Sequence, residues 1–330
     1  MHKRPFFSIV IPTYNRAENL KFAIANILEQ AFEDYELIVS NNNSTDRTDE
    51  AIKEFKDNRI IYIKNKTNIG WIRNIEKSIN LAKGKYVILQ GDDDYLYSKD
   101  RLFNLSKILK NKNYGFIRLN YASNKDGKLF DFRVSKSFDK DMILKPGQEN
   151  NKVFNFILKT DPYFMTGICF RNNFPNKVRF MDSELAPWFN IIYYNAKKYG
   201  AYYYSKYFFI ATWISRPMHP FYILVNNKFT FEKYIDNASK LISEKEFHNF
   251  KKKLLGQVIS LFPLLKLSLG NKSLIKCANR VLYLYPPYKF SIYFWLNFIC
   301  SFLAPRVVIK KLKEYYLSRI INTYEVKMIR

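Results

Sequence analysis

The stretch Lys85-Tyr86-Val87-Ile88-Leu89-Gln90-Gly91-Asp92-Asp93-Asp94 limits what this chain can fold into more than any other. Four apolar residues in succession, Tyr86 to Leu89, suit a strand buried on both faces. The strand runs straight into three adjacent carboxylates, whose mutual repulsion a cation would offset. Hard oxygen donors favour Mg²⁺ or Mn²⁺, ions that commonly hold substrate phosphates as well. Open α/β sheets bind ligands at the carboxyl ends of their strands, where these acids would fall. The competing reading is a solvated acidic turn that caps the next helix. If the extended backbone continues, Asp92 and Asp94 point one way and Asp93 the other.

The sequence on either side supports an α/β fold. Phe6–Ile11 reads as a strand stopped by Pro12, and the apolar spacing of Leu20, Ala23, Ile24, Ile27 and Leu28 reads as a helix. Strands are expected at Tyr35–Val39 and Arg59–Lys64, with a helix to about Lys56 and another from Trp71 to Lys83. This alternation argues for a mostly parallel sheet with right-handed crossovers. Later come a helix at Lys99–Leu109, a strand at Tyr114–Tyr121 and a hairpin turn at Asp126-Gly127. Val153–Leu158 reads as helical and Tyr163–Phe170 as extended. A long helix from Met181 is ended by Gly200, and Ala201–Trp213 is a Tyr-rich strand. The character changes near residue 220. Beyond it, Phe229–Leu255 has helical spacing with many lysines, and Val258–Ile309 is apolar, aromatic and punctuated by prolines. Residues 1–220 and 221–330 are therefore expected to be separate regions.

Composition narrows the function classes. The chain has 330 residues, with 54 Lys+Arg against 29 Asp+Glu and a formal charge of +25. That excess favours anionic partners, such as phosphorylated substrates, nucleic acid or an acidic membrane, although a bias towards Lys, Asn, Ile, Tyr and Phe produces it too. No helix-turn-helix, finger or RNP signature is present and the basic residues are dispersed, so nucleic acid is not the expected partner. Cys169, Cys277 and Cys300 are far apart and lack metal-ligand spacing, which suits buried thiols in a reducing compartment. The N-terminal residues enter a strand at once, without a signal peptide pattern. No apolar run reaches the length of a membrane span.

Five motifs occur in order: Pro12-Thr13-Tyr14-Asn15-Arg16 after the first strand, Asn41-Asn42-Asn43-Ser44-Thr45-Asp46 after the second, Asn68-Ile69-Gly70 with Arg73-Asn74, Gly91-Asp92-Asp93-Asp94, and Met181-Asp182-Ser183-Glu184-Leu185. In this order they resemble the inverting nucleotide-sugar glycosyltransferases of family 2, of GT-A fold, and are similar to bacterial enzymes that build O-antigens or capsules. The resemblance covers about residues 6 to 220. It implies that Pro12, Thr13, Tyr14, Asn15, Arg16, Asn41, Asn68, Gly70, Arg73 and Asp92 bind the donor. It further implies that Asp93 or Asp94 holds the metal with Asp92 nearer the ribose. Asp182 is then the general base, with Glu184 two residues on as the fallback. Arg216 and His219, in Trp213–Pro220, resemble a segment that closes over the diphosphate or completes the metal shell. Three departures stand out. Asn41 replaces a usual Asp that meets the base, Met181 replaces a usual Glu, and Arg216 and His219 are one residue further apart than in many relatives.

Each role has a structural alternative. Asp182 at a helix start suits an ordinary N-cap, Arg16 and Arg73 suit surface charges, and Tyr202, Tyr203 and Tyr204 suit strand packing better than sugar stacking. The region 251–313 interleaves aromatic and aliphatic residues with Lys, as in helices lying on a membrane, or as in a helical lid or an oligomer contact. The expected partners are a nucleotide-sugar donor and a glycan acceptor on a polyprenyl diphosphate, with peripheral contact to the anionic cytoplasmic face of an inner membrane. A processive synthase is disfavoured, since neither a Gln-x-x-Arg-Trp segment nor a set of spans is present.

Overall fold

The computed structural model describes residues 4–125, 128–130, 140–160, 162, 164–174, 177–180, 187–212, 224–225, 228–229, 235–236, 239, 242–312 and 314. The chain divides into two compact units, the first formed mainly by residues 1–213 and the second mainly by residues 214–325.

The first unit opens with strict alternation: β1 (Phe7–Thr13), α1 (Ala17–Leu28), β2 (Tyr35–Asn41), α2 (Thr48–Lys53), β3 (Ile60–Lys64), α3 (Trp71–Ile79) and β4 (Tyr86–Leu89). Then follow β5 (Tyr95–Leu96), α4 (Arg101–Asn111), β6 (Phe116–Lys125), β7 (Lys128–Phe130), β8 (Met142–Leu144), α5 (Asn150–Lys159), β9 (Ile168–Arg171), α6 (Phe189–Tyr199) and β10 (Ala201–Thr212). The described strands make one ten-stranded sheet ordered β3-β2-β1-β4-β9-β6-β10-β5, with β7 on β6 and β8 on β10. Strands β1 to β4 are mutually parallel, whereas β9 joins β4 and β6 antiparallel, so the sheet is mixed beyond β4.

β4 has the expected continuous apolar burial on both faces. Leu20, Ala23, Ile24 and Ile27 of α1 and Leu102, Leu105 and Leu109 of α4 close over Ile9, Ile11, Leu37, Val39 and Ile88 of the strands. β1 does not stop at Pro12 but continues to Thr13. Val10 accepts from the Gln90 N–H on the β4 side and Thr13 accepts from Asn42 on the β2 side. Pro12 therefore turns its missing donor towards β4, which has already ended, and costs the ladder no bond. α3 ends at Ile79, earlier than its spacing suggests, because Asn80 bonds back to the Glu76 carbonyl and across to residue 178. Gly200, at φ +76°, terminates α6 as expected. Tyr202, Tyr203 and Tyr204 are buried in β10, which bears out strand packing.

In the second unit, β11 (Leu224–Val225) pairs with β12 (Lys228–Phe229). α7 (Glu244–Ser260) begins at a Ser243/Glu246 capping box. α8 (Phe262–Leu284) is bent at Gly270, and a 3-10 turn (Pro286–Phe290) leads into α9 (Ile292–Leu303). Cys169 and Cys277 are buried as expected, whereas Cys300 on α9 is exposed.

Candidate active site

The chain builds β1, β2 and β3 outward in one direction and then places β4 on the other side of β1. That reversal opens a crevice at the carboxyl ends of β1 and β4, the ligand position of an open α/β sheet. Thr13 at the end of β1 donates its hydroxyl to Asp92 Oδ2 at 2.7 Å, joining the two rims. Arg16, four residues past Pro12, donates to Asp93 Oδ2 and lies 3.7 Å from Asp92 Oδ1. Asp94 accepts from the Thr166 hydroxyl, which itself accepts the Gly91 N–H at 2.8 Å, while the Asp94 charge still acts on Arg16. The expected pairing of Asp92 with Asp94 is thus corrected. The backbone turns after Gln90, with the Asp94 N–H on the Gly91 carbonyl at 3.3 Å, so strand alternation stops before the acids. Gly91 leaves room for this turn, since a Cβ there would lie 2.7 Å from Asp94 Oδ2 and 3.1 Å from Asp93 Oδ1.

Burial pushes the Asp92 carboxyl up to about 6; the Thr13 hydroxyl and Arg16 oppose this, and the neighbouring Asp93 reinforces it. Burial works against the Arg16 cation, but Asp93 and Asp92 together hold it above its ordinary value. Among the described residues no three acid, His or Cys side chains converge as a ready-made metal cage. The pair Asp92 and Asp93 nevertheless already shares one cationic group, the Arg16 guanidinium. Such hard carboxylate oxygens suit Mg²⁺ or Mn²⁺ when phosphate oxygens complete the shell.

The loop after β2 is held from three sides. Asn15 and Asn43 adopt left-handed backbone at φ 53° and 64°, which Asn tolerates better than most residues. Asn15 donates its N–H to Ser44 Oγ at 2.9 Å and accepts the Thr45 N–H at 2.8 Å. Asp46 accepts the Ala17 N–H at 3.0 Å, capping α1 from outside the helix. Burial raises the Asp46 pKa, but the bonds from Thr48 and Ala17 outweigh it and leave the pKa lowered. Asn41, expected at the base, is fully buried; its side-chain carbonyl accepts the Ser44 N–H at 2.7 Å, and its amide donates to the Tyr62 hydroxyl at 2.7 Å and to Asp49. These bonds tie the loop after β2 to β3 and α2.

A buried set of amides then ties β2 to α3. Asn42 accepts from Asn65 at 3.1 Å and from the Ile69 N–H at 3.0 Å, and donates to Asn68 at 2.7 Å. Asn74 accepts from the Ser40 hydroxyl and from Asn65 and donates to the Ser40 carbonyl. Asn68 and Gly70 are exposed beside this set, as is Arg73, whose guanidinium is 3.3 Å from Glu76. Tyr14 is exposed and Pro12 partly so.

α3 also grips the chain that leads to the expected base. Asn80 donates to the Val178 carbonyl at 3.0 Å and accepts its N–H at 2.7 Å. Glu76, buried in α3, accepts the Phe180 N–H at 2.7 Å and faces Arg179 at 3.4 Å. Phe180 meets Trp188 at 6.3 Å between ring centroids, and Trp188 meets Trp71 at 6.2 Å. Met181, Asp182, Glu184, Arg216 and His219 lie outside the described residues.

Sequence reasoning missed Thr166, Arg118, Glu76 and Asn80. Arg118 is fully buried and holds the Thr160 and Thr166 carbonyls at 3.0 and 2.6 Å, which places Thr166 against Asp94. The Arg between Ile117 and Leu119 was the available signal, because a cation in a core strand must find buried partners. The basic cavity lined by Arg4, Lys85, Lys110 and Arg171 lies at the opposite, amino ends of β1 and β4.

Comparison with known proteins agrees with this geometry. The model of glycosyl transferase family 2 matches residues 8–210, more than half of the chain. An undecaprenol-linked GalNAc(5)-diNAcBac β-1,3-glucosyltransferase of Campylobacter jejuni is 33% identical over 142 residues, 42% of this chain and 45% of that protein. An abequosyltransferase of Salmonella typhimurium is 42% identical over 107 residues, 31% of this chain and 32% of that protein. These matches span less than half of each relative's own length. The structure of S. aureus TarS 1–349 with UDP-GlcNAc is similar at a TM-score of 0.62 and 18% identity, covering 93% of this chain and 91% of that one, which speaks to fold alone. The chain belongs to glycosyl transferase family 2 and has the GT-A fold.

Proposed function

We propose that the chain transfers one sugar, with inversion, from a nucleotide-sugar donor to a hydroxyl of a glycan carried on a polyprenyl diphosphate. Residues 1–220 carry the chemistry, and residues 221–330 meet the anionic cytoplasmic face of the membrane that holds the acceptor. The observation that carries this reading is the meeting of Thr13, Arg16, Asp92 and Asp93 at the switch point of the sheet. The ends of β2, β1 and β4 stand side by side, so Asn41 and Asp92 are roughly 10 Å apart across two strand spacings. A nucleoside diphosphate laid along that row has its base near the loop after β2 and its phosphates beside the acids.

The acceptor hydroxyl is a poor nucleophile until its proton is taken. Asp182 accepts that proton as the oxygen bonds to the anomeric carbon, with Glu184 as the fallback. The bond from the anomeric carbon to the phosphate oxygen breaks, and its electron pair leaves with the nucleoside diphosphate. Asp93 or Asp94 would hold Mg²⁺ or Mn²⁺, with Asp92 nearer the ribose and His219 available to complete the shell. When bound, that ion supplies charge neutralisation of the leaving group. Arg16, with Arg73 and Arg216 as the resemblance implies, would supply positive charge to the donor's diphosphate. Glu76 and Asn80 steady the approach to Asp182 from α3.

Transfer from a panel of UDP-, dTDP-, GDP- and CDP-sugars to a polyprenyl-diphosphate glycan tests this. The expected result is turnover with at least one donor, lost in Asp182→Asn with donor affinity kept. Donor binding without any transfer or hydrolysis would instead make the chain a non-catalytic binding module.

A further inference from the structure

α9 is apolar around most of its circumference, interrupted by Asn297 and Ser301. Its inner side is secured by packing on α8, with Phe294 fully buried 5.8 Å from Phe262 and Phe298 at 6.4 Å from the same ring. Both ends are fixed as well. Ser291 caps the start by accepting the Phe294 N–H at 3.2 Å. The buried Lys266 ammonium donates to the Phe302 and Ala304 carbonyls at 2.6 Å each, a cation at the negative end of the helix. The orientation of α9 within its unit is therefore set, and so is the face it turns outward.

That outer face carries Ile292, Leu296, Ile299 and Leu303, an i, i+4, i+7, i+11 stripe in which Ile292 is 77% and Leu303 70% exposed. Phe290, 90% exposed, extends it before the helix. Val307 and Leu312 extend it beyond, on the helical segment Arg306–Leu312, which bends away by 119°. Tyr293 and Trp295 flank the stripe, half exposed. Contiguous exposed apolar surface of this kind marks an interaction face.

Charge selects the partner. From Phe247 to Lys313 the sequence holds twelve Lys and Arg and no Asp or Glu. Lys289 stands before α9, and Arg306, Lys310 and Lys311 follow it, all exposed. An apolar stripe with aromatic flanks and a rim of cations complements a bilayer with anionic headgroups. With twelve residues α9 is about 18 Å long, well short of the roughly 30 Å hydrocarbon core. No single described helix is long and apolar enough to cross a membrane.

We infer that α9 and the segment Arg306–Leu312 form a membrane-docking surface, lying in the plane of an anionic bilayer with the stripe Ile292, Leu296, Ile299 and Leu303 among the acyl chains. The inference rests on the lipid-borne acceptor proposed above and names the surface that reaches it.

Vesicle flotation of the purified full chain tests it without any sugar transfer. The probes are vesicles of phosphatidylethanolamine with phosphatidylglycerol, and of phosphatidylcholine alone. The expected result is flotation with the anionic vesicles, weakened by salt and poor with phosphatidylcholine. The exposed double variant Leu296→Asp/Ile299→Asp, its fold checked by circular dichroism, loses about tenfold or more in partitioning, because large apolar side chains supply the burial. Lys310→Glu/Lys311→Glu weakens binding to anionic vesicles alone. A wild-type chain that stays unbound, or binds both vesicle types equally, overturns the inference. So does a dimer dissolved by Leu296→Asp/Ile299→Asp in the absence of flotation, which would assign the face to a second copy. DNA binding at physiological salt without vesicle binding overturns it too. Hydrolysis of a nucleotide-sugar in solution is read separately, so loss of docking with hydrolysis intact leaves the catalytic proposal standing, and the reverse result leaves the docking surface standing.

Discussion

Asp92 holds a carboxyl that burial disfavours in its charged form, 2.7 Å from the Thr13 hydroxyl and 3.7 Å from a guanidinium. Its folded value of about 6 lies above the ordinary 3.8, so the folded state retains a proton that the unfolded chain releases. Between about pH 4 and pH 6 the unfolded state therefore binds fewer protons, and stability falls as pH rises. The stabilisation is complete below about pH 4 and gone above about pH 6. Denaturant unfolding of metal-free protein is expected to show a loss of roughly 3 kcal/mol across that window, and Asp92→Asn to flatten it; a slope unchanged in the variant would remove Asp92 as its source. Asn74 makes a second case. Asn74→Ala leaves the Ser40 hydroxyl without its partner and takes one bond each from the Ser40 carbonyl and the Asn65 amide, which keeps Asn42. Urea unfolding should report a loss of about 1 to 3 kcal/mol, the cost of one buried group left unpaired.

At the scale of elements, α3 carries Arg73 on its exposed side and grips residues 178–180 through Glu76 and Asn80. Asn80→Ala should speed hydrogen exchange at the Val178 amide by about tenfold or more, the equivalent of one lost bond, with amides of β1 unchanged. Slow exchange at Val178 in the variant would show that the clamp is not what orders this segment. The turn at Gly91 gives another prediction. Gly91→Ala forces the Asp93 and Asp94 carboxylates apart, and transfer activity should fall by about tenfold or more at little cost in melting temperature. The strands and helices that frame these features were legible because period-two and period-3.6 patterns mark them directly, as in β4 and α1. Three of the motifs fell at the ends of β1, β2 and β4 for the same reason. The orientation of the acids was not legible, since it depends on where β4 stops and the turn begins. The bonding of Asn41 was hidden because its partners, Asp49 eight residues on and Tyr62 twenty-one residues on, lie in separate elements, α2 and β3. Glu76 and Asn80 look like ordinary helix surface until the chain returns past them about a hundred residues later.

On the scale of the whole molecule, an acidic cluster sits in a chain of net charge +25. The general positive field favours the approach of anionic donors, and the local carboxylates set where a cation and its phosphates belong. The C-terminal helices, free of acids from Phe247 to Lys313, add the surface on which an anionic membrane would rest. The central claim is that the acids after β4 hold a nucleoside diphosphate through a divalent ion. Isothermal titration of UDP, dTDP, GDP and CDP into the full chain, with Mn²⁺ and then with EDTA, tests it most directly. The account predicts that at least one nucleotide binds, and that Asp93→Asn and EDTA each abolish binding while the variant stays folded. Binding that is unchanged in EDTA and in Asp93→Asn, or no binding of any nucleotide, would contradict it.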